Sequence, residues 1–377
     1  MSIRRPVIGI VGSAGAYGRW LSRFFGERMG LEVVGHDPAD PVPLDEQILL
    51  DRCDVLLFST PIRATEAIIR HYARLAGGRE RGRLWMDVTS IKSGPVAAML
   101  ESQAEVVGLH PMTAPPKAPT LRGRAMVVCE VRLDAWRGWL EAFCAALEAD
   151  CVRTSPEHHD RVMALVQSMV HAVHLAEAGV LRGCAPELGG LDALLPFRTA
   201  SFEMDAAVLS RILSLNPAIY EDIQFGNPHA LPVLDALLGE LQALRGLLVR
   251  GDDTARARFR RRFFEASRRA LGEATLAEGN HGFERIGYLL ADLGDPHALA
   301  IHLPEDRPGS LRALLHVFER HGINIASLHS SRTPAGEVHF RLGFDRGLDL
   351  EALHAAAAEV DASGIGRVLE GAVRRSP

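Results

Sequence analysis

The stretch Gly12-Ser13-Ala14-Gly15-Ala16-Tyr17-Gly18 follows a short apolar run, Pro6 to Val11, and leads into Trp20, Leu21, Phe24 and Phe25 on one helical face. A buried strand, a glycine-rich turn and an amphipathic helix in that order make a dinucleotide-binding turn. Gly15 lets the backbone approach a pyrophosphate and Gly18 lets helix and strand pack closely, while the helix N-terminus offers N–H groups and the positive end of its dipole. The spacing is G-x-x-G-x-x-G, with Ser13 where the commoner fingerprint has its first glycine. Gly12, Ser13, Gly15, Ala16, Tyr17 and Gly18 are therefore the expected cofactor-binding residues of this turn.

Beyond this turn a second strand, Leu31 to Gly35, leads to Asp37, about twenty residues further on, where an acid binds a ribose 2′-OH. That favours NAD as cofactor. NADP is less favoured, although His36 and Arg19 lie close enough in sequence to tolerate a 2′-phosphate. Strands are expected at Val55 to Phe58, Leu84 to Val88, Glu105 to Leu109 and Ala125 to Glu130, and a last short one near Cys151 to Arg153, with helical stretches between several of them. Such alternation implies a mainly parallel sheet, in which ligands sit beyond the carboxyl ends of the strands. Those ends carry Ser59-Thr60-Pro61, Thr89-Ser90-Ile91-Lys92 and Leu109-His110-Pro111. His110, read as a loop residue before the proline-rich Thr113-Ala114-Pro115-Pro116-Lys117, thereby gains Ser90 as a neighbour and a nicotinamide pocket within reach.

At 377 residues the chain is long enough for two or three domains. The net charge of −5 gives no overall nucleic-acid footprint, and the run Arg256 to Arg262 reads as a solvated helix face. No apolar run reaches the ~20 residues of a bilayer span, and no apolar core of a signal peptide follows Arg5, so no membrane partner and a cytoplasmic location are expected. Five cysteines without C-x-x-C spacing are expected to be reduced thiols. Lys92 and Lys117 are the only lysines, both close to these strand-end motifs.

Ser155-Pro156-Glu157 caps a long helix on which Val162, Leu165, Val166, Met169, Val170 and Val173 form an apolar stripe that is expected to be buried. An adjacent face carries Asp160, Met163, Gln167, His171 and His174. His171 and His174 lack further ligands at suitable offsets, so no metal is expected. A later helix carries Arg211 shortly before Asn216-Pro217. Arg211 reads either as a surface ion-pair partner or, if buried in the crevice, as a bidentate grip on a carboxylate. Helices of this apolar density suggest a bundle that also dimerises. From Ala298 the pattern is strand, helix, strand, strand, helix, strand, a ferredoxin-like unit. The expected domains are 1–154 for dinucleotide binding, 155–279 for a helical substrate and dimerisation domain, 280–297 for a linker, and 298–377 for the small ferredoxin-like domain.

With these residues in view the chain resembles prephenate dehydrogenases that carry a C-terminal ACT domain. The resemblance rests on Gly12 to Gly18, Asp87-Val88-Thr89-Ser90-Ile91-Lys92, Leu109-His110-Pro111-Met112, His159-Asp160 with Met163-Ala164, Gln167 and His171, and Arg211 with Asn216-Pro217. It implies a Rossmann-like domain, a helical dimerisation domain and an ACT domain, with oxidative decarboxylation of prephenate or arogenate in tyrosine synthesis. It further implies His110 as catalytic base, Ser90 orienting it or the substrate hydroxyl, and Arg211, His171 and Thr113 on the substrate. Asp306-Arg307-Pro308-Gly309-Ser310-Leu311 is similar to the ACT loop that binds an aromatic amino acid, here expected to be tyrosine. Many relatives have a glycine two residues after the His-Pro-Met motif; this chain has Thr113-Ala114-Pro115-Pro116, which leaves prephenate and arogenate both open. Homoserine and 3-hydroxyacid dehydrogenases rely on a catalytic lysine beyond the nucleotide domain, and no lysine follows Lys117.

Overall fold

The computed structural model describes residues 5–116, 118–294, 298–303, 307–332, 338–345 and 347–371. These fall into two compact units that divide between Val249 and Arg250. In the first unit, strands β1 (Ile8–Val11), β2 (Val33–His36), β3 (Val55–Phe58), β4 (Leu84–Asp87), β5 (Glu105–Pro111), β6 (Ala125–Arg132) and β7 (Asp150–Arg153) form one sheet in the order β2-β1-β3-β4-β5-β6-β7. The first five run parallel, and β6 turns antiparallel to β5. Helices α1 (Ala16–Arg23), α2 (Glu46–Arg52), α3 (Ile62–Ala76), α4 (Ser93–Leu100) and α5 (Arg137–Leu147) join these strands.

Alternation along the strands explains why the sheet is covered on both faces. Ile8, Ile10, Leu57, Met86, Val107 and Leu109 pack with Phe24, Phe25 and Phe143 on one side. Leu56, Phe58, Trp85 and Val106 pack with Leu49, Ile69 and Tyr72 on the other. Because the chain passes from β1 to β2 on one side and returns to β3 on the other, a crevice opens at the carboxyl ends of β1 and β3.

Ser155 caps α6 (Pro156–Met163), its side chain accepting from the His158 N–H with Pro156 in the first turn. A wider turn over Ala164–Met169 leads straight into α7 (Val170–Cys184). After a short α8 (Leu191–Leu194) come α9 (Ala200–Ser214), α10 (Pro217–Gly226) and α11 (Ala230–Arg250). One expectation is corrected here. The stripe expected to be buried is largely open in the single chain: Leu165 is 50% exposed, Val166 53%, Val170 37% and Val173 40%. The face that turns inward is instead the one with Asp160, Met163, Ala164 and Ser168. Joined end to end, these segments also make one helix, Pro156–Leu188, long and apolar enough by length and composition to cross a membrane. Gln167, Ser168, His171 and His174 interrupt its apolar residues, which is why the sequence shows no unbroken span.

The second unit begins with α12 (Asp253–Phe259), α13 (Ala266–Leu271) and α14 (Glu273–Gly294). Most of the segment expected to be a linker is thus helical through Gly294. Gly279, Gly282 and Gly287 weaken a helix by only about 1 kcal/mol each, and the Ala, Leu and Glu residues that flank them, Glu273 to Glu278 and Leu289 to Leu293, outweigh that. Strands β8 (Ala298–Leu303), β9 (Ser327–Arg332), β10 (Val338–Gly343) and β11 (Arg367–Gly371), with α15 (Ser310–Arg320) and α16 (Leu350–Ala362), form an antiparallel sheet in the order β11-β8-β10-β9. Leu299, Ile301, Phe340 and Leu342 pack it against Leu314, Phe318, Leu353 and Val360, the βαββαβ arrangement expected.

Candidate active site

At the carboxyl end of β1, Gly12 adopts φ +85°, and a Cβ there would collide with the Ser59 carbonyl oxygen. A Cβ on Gly18 would collide with the Gly12 oxygen. Only glycine permits this close approach of β1, α1 and the β3 loop, which builds a cradle lined by backbone. Gly15 caps α1 without a side chain, so the first-turn N–H groups remain available to an anion. The Asp37 carboxylate, at the end of β2, accepts from the Ala14 N–H at 3.0 Å and from Ala39 N–H at 2.9 Å, which fixes an acid beside the turn. A dinucleotide fits this donor set: phosphate on the α1 terminus, a ribose diol on Asp37. Ser59, Thr60 and Pro61 border the same cradle, with the Thr60 and Thr65 hydroxyls hydrogen-bonded to each other at 2.8 Å and Pro61 opening α3.

His110 lies in β5 rather than in a loop, opposite Val127 of β6, while β4 pairs with β5 only as far as Gly108. Beyond Gly108 the β4 side of the strand is therefore free, and Pro111, which has no N–H to donate, is accommodated there. Lys92 reinforces this strand end. Its ammonium is fully buried, paired with Asp87, and donates to the Leu109 carbonyl at 2.7 Å. A Cβ on Gly108 would come within 3.1 Å of Lys92 Cδ, so the glycine leaves room for the lysine stem.

The imidazole of His110 is 3% exposed, and its Nδ1 lies 2.9 Å from His159 Nε2. His159 Nδ1 is in turn 2.8 Å from Asp160 Oδ1. Asp160 also accepts from the backbone N–H groups of Lys92, at 2.8 Å, and Ser93, at 2.9 Å. Burial pushes the Asp160 carboxyl up, but hydrogen bonds from His159, Ser93 and Lys92 outweigh it and hold it below its ordinary value. An ionised Asp160 requires His159 to carry its proton on Nδ1, so His159 Nε2 accepts and His110 Nδ1–H donates. The remaining nitrogen of His110, Nε2, is thereby left with its lone pair. Burial, then the neighbouring His159 and Lys92, hold the His110 pKa well below the ordinary histidine value against the opposing pull of Asp160. The arrangement is a neutral imidazole with a fixed tautomer.

The resemblance implies that Ser90 orients His110 or the substrate hydroxyl; in the structure the hydrogen-bond partner of His110 is His159, while Ser90 is half-buried in the β4 loop and makes no side-chain hydrogen bond to His110. His159 and Asp160 are legible in the sequence only as a motif, because 49 residues separate His159 from His110. On α7, His171 stacks edge-on against Tyr220 with ring centroids 4.8 Å apart. Its buried Nδ1 has no hydrogen-bond partner among the described residues, and burial followed by His174 lowers its pKa. Arg211 is exposed on α9 without a hydrogen bond or ion pair among the described residues, so neither the surface ion pair nor a buried placement is realised in the single chain. Thr113 is half-buried, its carbonyl accepting from the Tyr17 hydroxyl.

In the second unit Gly309 has φ +99° and opens α15 without a side-chain cap, Ser310 N–H donating to the Arg307 carbonyl at 3.0 Å. Arg307, Pro308 and Gly309 form the turn before the helix, and Leu311 is 37% exposed in its first turn. Asp306 lies outside the described residues.

Models of the prephenate dehydrogenase nucleotide-binding domain and dimerization domain match residues 40–129 and 155–263, and a model of the ACT domain matches 297–355. A 4-amino-4-deoxyprephenate dehydrogenase of Streptomyces pristinaespiralis is 30% identical over 283 residues, covering 70% of this chain and 90% of its own. The chain belongs to the prephenate dehydrogenase family. Within that family it is also similar to the T-protein of Enterobacter agglomerans, 29% identical over 258 residues, and to the probable arogenate/prephenate dehydrogenase of Methanocaldococcus jannaschii, 24% identical over 262. These matches take in 67% and 65% of this chain but only 64% and 57% of those relatives' lengths. The fold is shared with the prephenate dehydrogenase of A. aeolicus in complex with hydroxyphenyl propionate and NAD+, at TM-score 0.56 and 18% identity over 72% of this chain and all of that one. Synechocystis arogenate dehydrogenase shares it at TM-score 0.53 and 16% identity, over 70% and 99% of the two chains.

Proposed function

We propose that this family member is an NAD-dependent dehydrogenase that oxidatively decarboxylates prephenate to 4-hydroxyphenylpyruvate, in a cytoplasmic homodimer restrained by an aromatic amino acid on its ACT domain. The observation that carries the reading is the buried His110, with its Nδ1–H committed to the His159–Asp160 pair, which leaves the Nε2 lone pair for a substrate proton. NAD held by the Gly12 to Gly18 turn, Asp37 and the Ser59-Thr60-Pro61 loop supplies the hydride acceptor.

His110 Nε2 draws the proton from the ring hydroxyl as hydride leaves the carbon that bears it. The bond to the ring carboxylate breaks, its electron pair enters the ring, CO₂ departs, and the proton returns to the phenol oxygen. Aromatisation drives the sequence, so the protein has mainly to align the substrate and keep the imidazole neutral. Ser90 borders the hydroxyl, and the unpartnered His171 Nδ1 lines the substrate pocket. Thr113 forms its wall, and Arg211, whose guanidinium is uncommitted, grips a carboxylate by paired hydrogen bonds. An acid at Asp37 beside the turn disfavours a 2′-phosphate and so supports NAD over NADP. A second copy covers the open apolar stripe of Leu165, Val166, Val170 and Val173. Arg307 to Leu311, at the start of α15, with Asp306, receive the effector, of which tyrosine is the first to test.

The test is NADH formation, followed by absorbance, with prephenate and arogenate, each with NAD and NADP. Turnover of prephenate with NAD is expected. No turnover of either substrate with either nucleotide overturns the enzymatic reading.

A further inference from the structure

The proline-rich loop behind His110 is fastened to the nucleotide-binding helix at two points. The Tyr17 hydroxyl donates to the Thr113 carbonyl, and Trp20 Nε1 donates to the Ala118 carbonyl at 3.0 Å. Tyr17 and Trp20 are three residues apart and so lie on one face of α1. Their rings meet edge to face at 6.3 Å, and Trp20 is 4% exposed. Burial pushes the Tyr17 hydroxyl up, so it remains a donor at any physiological pH. Tyr17 therefore joins two places. Its backbone sits in the first turn of α1, whose uncapped N–H groups face the dinucleotide phosphates, and its hydroxyl holds the carbonyl three residues past His110. Elsewhere the loop returns to the sheet through the Met112 N–H, which donates to the Ala125 carbonyl at 3.0 Å.

We propose that Tyr17 is a positioning residue that transmits dinucleotide occupancy to the substrate wall: a cofactor on the α1 terminus fixes the first turn, and the Tyr17 hydroxyl then holds Thr113 and its loop in the form that binds the substrate. The inference rests on the assignment of α1 to the cofactor and of Thr113 to the substrate pocket. It assigns the coupling between the two ligands to one hydroxyl group. Phenylalanine at position 17 keeps the ring and its packing on Trp20 and removes only the tie.

The experiment is equilibrium binding to the full chain by calorimetry, without turnover, using 4-hydroxyphenylpropionate as a non-reacting substrate mimic. Its affinity is measured with and without saturating NAD, for the wild type and Tyr17→Phe. In the wild type NAD is expected to tighten the mimic on the order of tenfold, within the usual range of coupling between sites. In Tyr17→Phe that ratio is expected to fall on the order of fivefold, the worth of one hydrogen bond. By reciprocity, NAD titrated with and without the mimic must lose the same factor. A ratio that is unchanged in Tyr17→Phe, or a wild type that binds both ligands independently, overturns the coupling while leaving the proposed activity standing. A wild type that binds neither ligand overturns both.

Discussion

His110 is one of sixteen histidines, and its position at a strand end does not by itself distinguish it from the rest. What sets it apart is a chain of three groups, Asp160, His159 and His110, in which each hydrogen bond decides the next. The carboxylate fixes the His159 tautomer, His159 fixes that of His110, and the nitrogen left over is the one proposed above as the base. This predicts that Asp160→Asn loses about 10²-fold or more in kcat, with KM for prephenate changed much less, because the wrong tautomer disables the base without removing a substrate contact. Steady-state kinetics check it, with circular dichroism to show that the variant, which keeps one carbonyl oxygen for the Lys92 and Ser93 N–H groups, remains folded. An equal loss in KM and none in kcat would place Asp160 in binding instead. The residues of this relay are visible in the sequence, but their roles are not. Local spacing places His159 and Asp160 on a helix face, and only the docking of α6 on the β4 and β5 ends brings them to His110. Ser90 is the natural choice as partner from sequence because it is the polar residue that strand order alone brings near.

Among the secondary-structure elements, the glycine turn, strands and ferredoxin-like unit are legible because each depends on a local period: two along a buried strand, three to four along an amphipathic helix, and glycine where backbones meet. The same period misleads on α6 and α7. It identifies the apolar stripe of Val162 to Val173 correctly as a stripe, but periodicity cannot say which chain covers it, and within one chain it is the face with Asp160, Met163, Ala164 and Ser168 that docks. The α14 helix escapes a reading by sequence because its glycines resemble punctuation. A Cβ added at Gly279, Gly282 or Gly287 would meet no neighbouring atom within 4 Å, so no close approach requires glycine there, and the helical propensity around them prevails. The open stripe carries a prediction. Val173→Glu places a charge at one end of it, and sedimentation velocity is expected to show a shift from dimer towards monomer. A variant that sediments as the wild-type dimer would move the interface elsewhere.

The whole molecule joins a glycine-lined nucleotide-binding cradle, a buried imidazole and an ACT domain in one chain. Addition of tyrosine is expected to raise the melting temperature of the ACT unit through binding to the folded state and to lower the rate of NADH formation. An Arg307→Ala, Ser310→Ala double variant is expected to lose both responses, and its retention of both would remove the loop from effector binding. A neutral base at His110 also sets how the molecule responds to acid. Because burial depresses the His110 pKa in the folded state, its contribution to stability is complete above the unfolded histidine value of about 6.5 and is lost as pH falls below it. The rate follows the folded group. The sharpest test is kcat/KM for prephenate with NAD as a function of pH, in the wild type and in His110→Asn. A buried neutral base predicts an acid limb centred below 6.5 in the wild type and, in His110→Asn, a loss of about 10²–10⁴-fold with that limb abolished. A wild-type limb centred at or above 6.5, or one that persists in His110→Asn, would contradict it.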